Sequence, residues 1–196
     1  MAVLPILELP NPVLRQRARK VRKIDSSVLK LADDMVDTMR DANGVGLAAN
    51  QVGVLKRVIV VQLPEEEEAR IYVNPEIVHR EGEQDFYDGC LSIPGYRGLI
   101  TRALWVKFQA LDQTSKIVKF KADDLLSLAL EHEVDHLNGV LYIDHLKEHE
   151  ELIPVNEDGS FESNGAVEEG GLESAVLAPA MDSPDPRDTP ATIKVK

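Results

Sequence analysis

Two histidines stand four positions apart in the stretch HEVDH (His132–His136), a pattern typical of a metal site. On an α-helix, positions i and i+4 lie one above the other on the same face, so both imidazoles can bind one ion. Glu133 follows the first histidine and can reach a water on that ion without binding the ion itself. Two side chains do not complete a site, so the identity of the third ligand decides the chemistry.

Four of the candidates for the third ligand lie downstream of this stretch. Extending the pattern to HExxHxxGxxH would place a histidine at position 142, where the chain has Tyr142, a poor substitute for an imidazole. Glu157 is at a distance that fits a site of two histidines and one glutamate, but its segment has a composition typical of disorder. His145 and His149 also stand four apart, although histidines in so polar a segment are more often solvated.

Cys90 is the strongest candidate, because a thiolate binds borderline-soft divalent metals well. It is the only cysteine of the chain, and its setting, DGCLS between two glycine-bearing turns, is typical of a loop held in place. A Cys-His-His set leaves a fourth position open for water, whose pKa a bound ion would lower toward about 7. We therefore expect a hydrolytic reaction in which Glu133 is the general base.

Two predicted helices must position these residues. The first has apolar residues at helical spacing, an N-cap at Asp25 or Ser26 and an end near Asn43. The second carries HEVDH, follows a cap at Asp123 and stops at Asn138, before a glycine. Because apolar residues surround the second helix on all sides, we expect it to be buried.

Strands are predicted from apolar alternation and β-branched residues at 57–63, 70–78, 104–111 and 117–121. The last two form a hairpin, whereas the glycine-rich and proline-rich segments 44–53 and 85–102 are predicted to be loops. Helices and strands follow one another without regular alternation, which favours an α+β fold. We expect small antiparallel or mixed β-sheets packed around a buried central helix that carries the HExxH pattern, plus an N-terminal helix.

The acidic charge of the chain is unevenly distributed. The net charge of −12 argues against a nucleic-acid-binding protein. Residues 147–196 hold 12 Asp/Glu against 4 Lys/Arg, so the preceding part is nearly balanced. We expect one catalytic domain over residues 1–150 and an acidic, Pro/Gly-rich, disordered tail over residues 151–196. A single cysteine, the absence of a leader pattern and the absence of an apolar run of roughly 20 residues predict a cytoplasmic protein without membrane contact.

Three motifs together resemble those of the peptide deformylase family, which removes the formyl group from the initiator methionine of new bacterial chains. GVGLAANQ (residues 44–51) resembles the family's GxGxAAxQ loop, DGCLS (residues 88–92) its EGCxS loop, and HEVDH its metal helix. LPNPVLR near the start is similar to the family's N-terminal arm, so the resemblance covers about residues 3–147. It implies metal-dependent hydrolysis of a linear amide in N-terminal processing during protein biosynthesis, with formate as a product.

The resemblance also implies roles for single residues. The metal, the side-chain amide of Gln51 and the backbone N–H of Leu91 would stabilise the oxyanion, while Glu133 passes the proton of the attacking water to the leaving amine. Iron(II) is the metal expected in cells, although zinc, nickel and cobalt also suit a Cys-His-His set. Some relatives dock at the ribosome through a basic C-terminal helix. Since the tail here is acidic, we expect at most a transient ribosome contact.

The substrate-binding residues are expected around the glycines of the first two motifs. Gly44, Gly46 and Gly89, with Val45 beside them, would let an extended N-formylmethionyl peptide bond main chain to main chain. The residues expected to line an apolar pocket for the methionine side chain are Leu91, Leu125, Leu128 and Ala129, with the stem of Arg97 at its mouth.

Two residues depart from the family's pattern. Asp88 stands where glutamate is usual, so its shorter side chain must reach further to pair with Arg102. Glu131 stands where glutamine is more common, and its charge would act on the metal site if the side chain turned toward it. Two other functions stay open: a zinc endopeptidase that uses the same helix, and a non-catalytic metal- or peptide-binding relative. The intact catalytic residues argue against the second.

Overall fold

A computed structural model of the chain describes residues 2–146, 152–156 and 160. The two α-helices of this part are α1 (Ser26–Asp41) and α2 (Asp124–Asn138). Its strands are β1 (Gly46–Ala48), β2 (Val58–Val61), β3 (Arg70–Glu81), β4 (Gln84–Cys90), β5 (Ile93–Arg102), β6 (Trp105–Leu111), β7 (Ile117–Asp123) and β8 (Ile153–Pro154). The predicted α+β class is confirmed. Among the described residues, no helix combines the length and apolarity needed to cross a membrane.

The strands form a five-stranded sheet, in the order β1-β2-β3-β6-β7, and a three-stranded sheet, in the order β4-β5-β8. All of these strand pairs are antiparallel. Along β6 the side chains alternate, with Val106 and Phe108 buried and Lys107 exposed, as expected for a sheet with one covered face. That covered face forms one apolar core with α2, to which Leu130 and Val134 contribute.

Strand β2 separates the environments of the two helices. Ile59 and Val61 belong to the core that contains α2, whereas Val58 and Val60 belong to a second core with Met35 of α1. A strand covered on both faces needs apolar residues at consecutive positions, which explains the run VIVV. The two helices therefore lie on opposite faces of this end of the sheet.

The prediction of loops at residues 44–53 and 85–102 was wrong in part. The first segment contains β1 and a short 3₁₀ turn at Ala49–Val52, and the second forms the hairpin of β4 and β5. Glycine and proline inside the hairpin obscured its strand pattern. At Gly98 of β5, an added Cβ would lie 2.7 Å from Leu146, so the absent side chain permits close packing.

Residues 152–156 belong to the smaller sheet. Tyr96 pairs with Pro154 and Arg97 with Ile153, and the Val155 N–H donates to the carbonyl of Gly95 at 3.0 Å. The tail predicted from residue 151 therefore begins with a segment that pairs with β5. Residues 157–159 and 161–196 of that predicted tail lie outside the described residues.

Candidate metal centre

Three side chains with metal-binding atoms meet in the interior, where the end of β4 faces α2. The Nε2 atom of His136 lies 3.1 Å from Sγ of Cys90 and 3.1 Å from Nε2 of His132. The three ligand atoms all lie within 4.8 Å of one another, and the three residues are buried. Atoms held at about 2.0–2.3 Å from one divalent ion have comparable separations, so the donor set and its spacing fit such an ion.

Cys90 reaches this position through an irregularity in the hairpin. The pairing of β4 with β5 shifts register between Gly89 and Cys90, and such shifts change where a side chain points. The Ser92 N–H then donates to the Cys90 sulfur at 3.4 Å, and the Gln51 amide nitrogen lies 3.6 Å from it. The Cys90 sulfur thus faces two hydrogen-bond donors.

The other candidates for the third ligand are engaged elsewhere or lie outside the described residues. The Tyr142 hydroxyl donates to the carbonyl of Tyr96 at 3.3 Å, and the Tyr142 ring stacks nearly parallel to that of His132 at 6.5 Å. His145 contacts a carboxylate oxygen of Asp135 at 2.9 Å. Of these alternatives, His149 and Glu157 fall where the chain is not described.

Asp88 orients the first histidine. One oxygen of its fully buried carboxylate lies 2.9 Å from Nδ1 of His132 and 3.0 Å from Nη2 of Arg102. Although burial opposes ionisation, His132 and Arg102 lower the pKa of Asp88 to about 2, so the carboxylate accepts and Nδ1 donates. This contact turns Nε2 of His132 toward the cluster, as is usual for histidines that bind metals. The shorter side chain of Asp88 thus reaches both partners.

Asp88 and Arg102 together hold His132 in place, and we call this pair the brace of His132. Arg102 connects the brace to the surface. Its Nη1 atom lies 2.8 Å from Asp135, which in turn lies 2.9 Å from Nε2 of His145. The backbone carbonyl of His136 accepts a hydrogen bond from the amide of Asn50. The motifs that contain Asp135, Asn50 and Asp88 do not indicate these contacts, because the partner of each residue lies far away along the chain.

The two imidazoles differ in how readily they take up a proton. Burial opposes the charged form of His132, but the Asp88 carboxylate raises the pKa of His132 well above its usual value. For His136, burial and the neighbouring His132 lower the pKa well below the usual value. Because ligands bind metal through unprotonated atoms, occupation by a metal would displace a proton from between the facing Nε2 atoms.

Glu133 lies beside the cluster with its side chain almost completely enclosed, at 2% exposure. The backbone of Gly46 packs against it so closely that a Cβ there would lie 2.9 Å from Cδ of Glu133 and closer still to Oε1. Burial raises the pKa of Glu133 to about 7. A carboxylate with a pKa near neutrality can both accept and return a proton.

Gln51 presents its amide nitrogen to the cluster. Its Oε1 atom accepts from the Ala48 N–H at 2.8 Å, which leaves Nε2 to donate to the Ser92 hydroxyl at 3.2 Å, beside the Cys90 sulfur. This orientation suits a donor to a developing negative charge. Leu91 follows Cys90 directly and packs near Gly44, where an added Cβ would lie 2.9 Å from its Cδ1 atom.

The predicted substrate-binding residues are distributed over several environments. Val45 is buried, and its carbonyl accepts from the backbone N–H of Gln62 at 2.8 Å. Gly89 pairs with Arg97 across the hairpin, and Arg97 is buried, with 3% exposure.

The four apolar residues predicted for a methionine pocket do not fall in one cluster. Ala129 lies in the core between α2 and the larger sheet, and Leu91 packs against the core of α1. Leu128 is buried and Leu125 is partly buried. A pocket formed by these residues therefore stays a prediction.

Glu131 is turned away from the cluster. One carboxylate oxygen pairs with the guanidinium of Arg80, and the other accepts from the Ala103 N–H at 3.0 Å. The additional negative charge directly before the first histidine thus has its own partners.

Comparisons with known proteins show which family the chain resembles. Residues 3–151 match the family model described as polypeptide deformylase. The chain is 48% identical over 158 residues to a peptide deformylase of Dehalococcoides mccartyi. The aligned region covers 81% of this chain and 95% of that protein. A crystal structure of a peptide deformylase from Legionella pneumophila superposes with a TM-score of 0.72 at 44% identity, over 74% of this chain and 87% of that one. A crystal structure of a Met-Ala-Ser-bound peptide deformylase from Acinetobacter baumannii superposes with a TM-score of 0.70 at 34% identity. The superposition covers 74% of this chain and 99% of that one.

Proposed function

This chain belongs to the polypeptide deformylase family, whose members are metal-dependent hydrolases that remove the N-formyl group from nascent peptides, and we propose that Cys90, His132 and His136 hold its metal. The observation that carries this proposal is the meeting of one sulfur and two imidazole nitrogens within 4.8 Å in a buried site. Such a set leaves a coordination position for water or substrate. The buried central helix that carries HExxH thereby presents both histidines and Glu133 to one place.

A divalent ion held by Cys90, His132 and His136 would make a bound water more acidic and would polarise the carbonyl of the substrate. Glu133 accepts the proton of the attacking water and delivers it to the leaving amine, a role that its pKa of about 7 supports. The Gln51 amide and the Leu91 N–H donate to the oxygen of the formyl group as charge develops on it. Formate and a free amino terminus are the products.

The substrate is an N-formylmethionyl peptide bound in extended form. The relative with bound Met-Ala-Ser carries a peptide that begins with methionine, which matches the product of deformylation. In this chain we assign the main-chain contacts to residues 44–46 and to Gly89. We assign the methionine pocket to Leu91, Leu125, Leu128 and Ala129, with the stem of Arg97. Iron(II) is the metal that we propose for the cell, with zinc, nickel or cobalt as functional replacements.

The finer organisation is also part of this proposal. We place the catalytic unit in the residues up to the strand β8, followed by an acidic tail. Deformylation of nascent chains would take place in the cytoplasm, where the chains are made, and would need at most a transient contact with the ribosome.

The experiment that tests the proposal measures formate released from formyl-Met-Ala-Ser by protein purified without air, together with its metal content. We expect about one metal per chain and formate release that depends on it. Acetyl-Met-Ala-Ser and a longer peptide with a blocked terminus are the matched controls. Cleavage of internal bonds without formate release would support the endopeptidase instead, and Cys90→Ala with undiminished metal content would remove the thiolate from the ligand set.

A further inference from the structure

Glu131 is a buried carboxylate directly before the ligand His132, and its oxygens have different partners. At 4% exposure it lies inside the protein, where one oxygen pairs with Arg80 of β3 and the other accepts from the Ala103 N–H at 3.0 Å. Among the described residues, Arg80 is the only cation in ion-pair contact with it. A buried charge that loses its partner is strongly destabilised.

The bond to Ala103 connects Glu131 to the brace that orients His132. Ala103 follows Arg102, whose guanidinium lies 3.0 Å from Asp88, and Asp88 lies 2.9 Å from Nδ1 of His132. Glu131 therefore holds this arrangement at both ends. It precedes His132 in the helix, and it fixes the backbone that follows Arg102.

We propose that Arg80, which touches none of the reacting groups, is a positioning residue for the metal ligand His132. It keeps the Glu131 carboxylate inside the protein and aimed at the Ala103 N–H, so that Arg102 and Asp88 hold the imidazole in its ligating orientation. The proposal rests on the proposed function, because it assumes that His132 binds the metal.

The surroundings show what the loss of Arg80 would cause. Arg80 and Glu131 line an open cleft of about 870 Å³ that also reaches Arg102 and Asp135. Without the guanidinium, the carboxylate gains free energy by turning out toward water in this cleft. The Ala103 N–H would then lose its acceptor, and the backbone beside Arg102 would be less restrained.

The size of the expected effect on metal binding depends on how many contacts separate Arg80 from His132. Removing a group that directly holds a metal-bound histidine typically weakens metal binding by about 10–100-fold. Arg80 acts through three contacts more than Asp88 does, and its side chain is 51% exposed. We therefore expect an effect near the lower end of that range, of about tenfold.

The experiment compares Arg80→Ala in two backgrounds, wild type and Glu131→Gln. Zinc-loaded protein is mixed with excess EDTA, and the rate of zinc release is followed with a colorimetric indicator. In the wild type, Arg80→Ala should accelerate release about tenfold. The amide introduced by Glu131→Gln can accept from the Ala103 N–H through its carbonyl oxygen without needing a cation, so in this background Arg80→Ala should change the rate less than about twofold.

Two further variants separate positioning from general structural effects. Arg80→Lys retains a cation and should recover most of the wild-type release rate. Arg70→Ala removes another partly exposed arginine of β3, which pairs with Glu66, and should leave the rate unchanged. The melting temperature of each metal-free variant is measured alongside.

Equal acceleration by Arg80→Ala in both backgrounds would overturn the proposal, because Arg80 would then act independently of Glu131. No acceleration in the wild type, or a fall in melting temperature without faster release, would overturn it as well. Failure of the proposed function is distinguishable, since it would appear in the wild type as zinc bound without dependence on Cys90.

Discussion

The two α-helices of this chain both bury polar side chains, but only those of α2 belong to the candidate metal centre. Helix α1 buries an apolar stripe that includes Val28, Met35 and Met39, and its first turn is capped by Asp25, whose side chain accepts from the N–H groups of Ser27 and Val28. Beside that stripe, α1 buries Asp34 and Thr38. Helix α2 also packs on the core, and the charged and polar side chains that it buries include Glu131, His132, Glu133 and His136. Both helices pack against the rest of the fold, but only α2 carries residues of the candidate metal centre.

The main signals that form α1 are local, although its buried Asp34 and Thr38 accept from the distant N–H groups of Ala2 and Leu4. The cap and the apolar spacing of α1 are contained in its own segment of sequence. The buried polar groups of α2 each need a partner, since unsatisfied polar groups are costly inside a protein. Partners of the Glu131 and His132 side chains and of the His136 carbonyl come from β3, β4 and the 3₁₀ turn after β1. Among the described residues, Oε2 of Glu133 and Nδ1 of His136 have no hydrogen-bond partner. Changes in α1 should therefore affect the stability of the fold, and changes around α2 should affect the metal and the reaction.

Removal of the Glu133 carboxylate should break the chemistry most severely. Glu133→Ala should lower kcat on formyl-Met-Ala-Ser by about 10³–10⁴, in the upper part of the range for general acid–base catalysis. Because Glu133 is not a proposed ligand, zinc content should stay at one per chain. The measurement pairs formate release with metal analysis.

Glu133→Gln serves as the matched variant, since it keeps the volume of the side chain and removes its basicity. It should be about as inactive as the alanine variant. Turnover near the wild-type rate in either variant would contradict the assignment of Glu133 as the base.

A substitution in α1 should have the opposite result. Met35 is fully buried, and Met35→Ala should lower the free energy of unfolding by about 2–5 kcal/mol, as large-to-small changes in cores do. Urea unfolding of the metal-free protein measures this change. Zinc stoichiometry and kcat per folded molecule should be unchanged, and a loss of zinc at wild-type stability would show that the helices are not separate in this way.

Removing the charge of Asp88 from the brace of His132 should weaken metal binding. Asp88→Asn removes the charge that accepts from Nδ1 of His132 and faces Arg102, so zinc affinity should fall by about 10–100-fold. Competition with a chelator of known affinity measures the change. Asp33→Asn makes the same chemical change on the exposed side of α1 and is expected to leave zinc affinity unaltered; equal affinity in both variants would exclude this role of Asp88.

Local signals explain how much of this molecule was predictable. The sequence predicts both helices to within about two residues, because periodicity and end signals act over short distances. Asp123 was expected to cap α2, but its side chain makes no capping hydrogen bond, whereas that of Asp25 does. The hairpin of β4 and β5 was missed because glycines and a proline interrupt its pattern.

The candidate site was predictable where chemistry restricts the choice of residue. HEVDH forms a local pattern, and the ligand chemistry of sulfur singles out Cys90 without any knowledge of contacts. The contacts of His132 with Asp88 and of Glu131 with Arg80 span 44 and 51 residues. Such pairs leave no periodic signal, so only the folded chain brings them together.

Substitutions at the ends of the two helices should have the smallest effects of those predicted for α1 and α2. Each helix is followed by a residue in the left-handed region, Asn43 after α1 with φ 50° and Gly139 after α2 with φ 77°. Glycine adopts this conformation with less strain than asparagine does. Asn43→Gly should therefore raise the free energy of unfolding of the metal-free protein by less than about 1 kcal/mol, measured by urea unfolding, without a change in zinc release.

The reverse exchange, Gly139→Asn, should destabilise the protein by more than the first exchange stabilises it. A Cβ at position 139 would lie 2.5 Å from the backbone oxygen of Arg15, a contact that the backbone must move to relieve. Because Gly139 ends the helix that carries both histidines, the shift should also accelerate zinc release, which Asn43→Gly does not. The contrary result would be equal and opposite changes in stability from the two exchanges, with no change in zinc release from either. Backbone conformation alone would then account for both helix ends, and α2 would depend on distant contacts no more than α1 does.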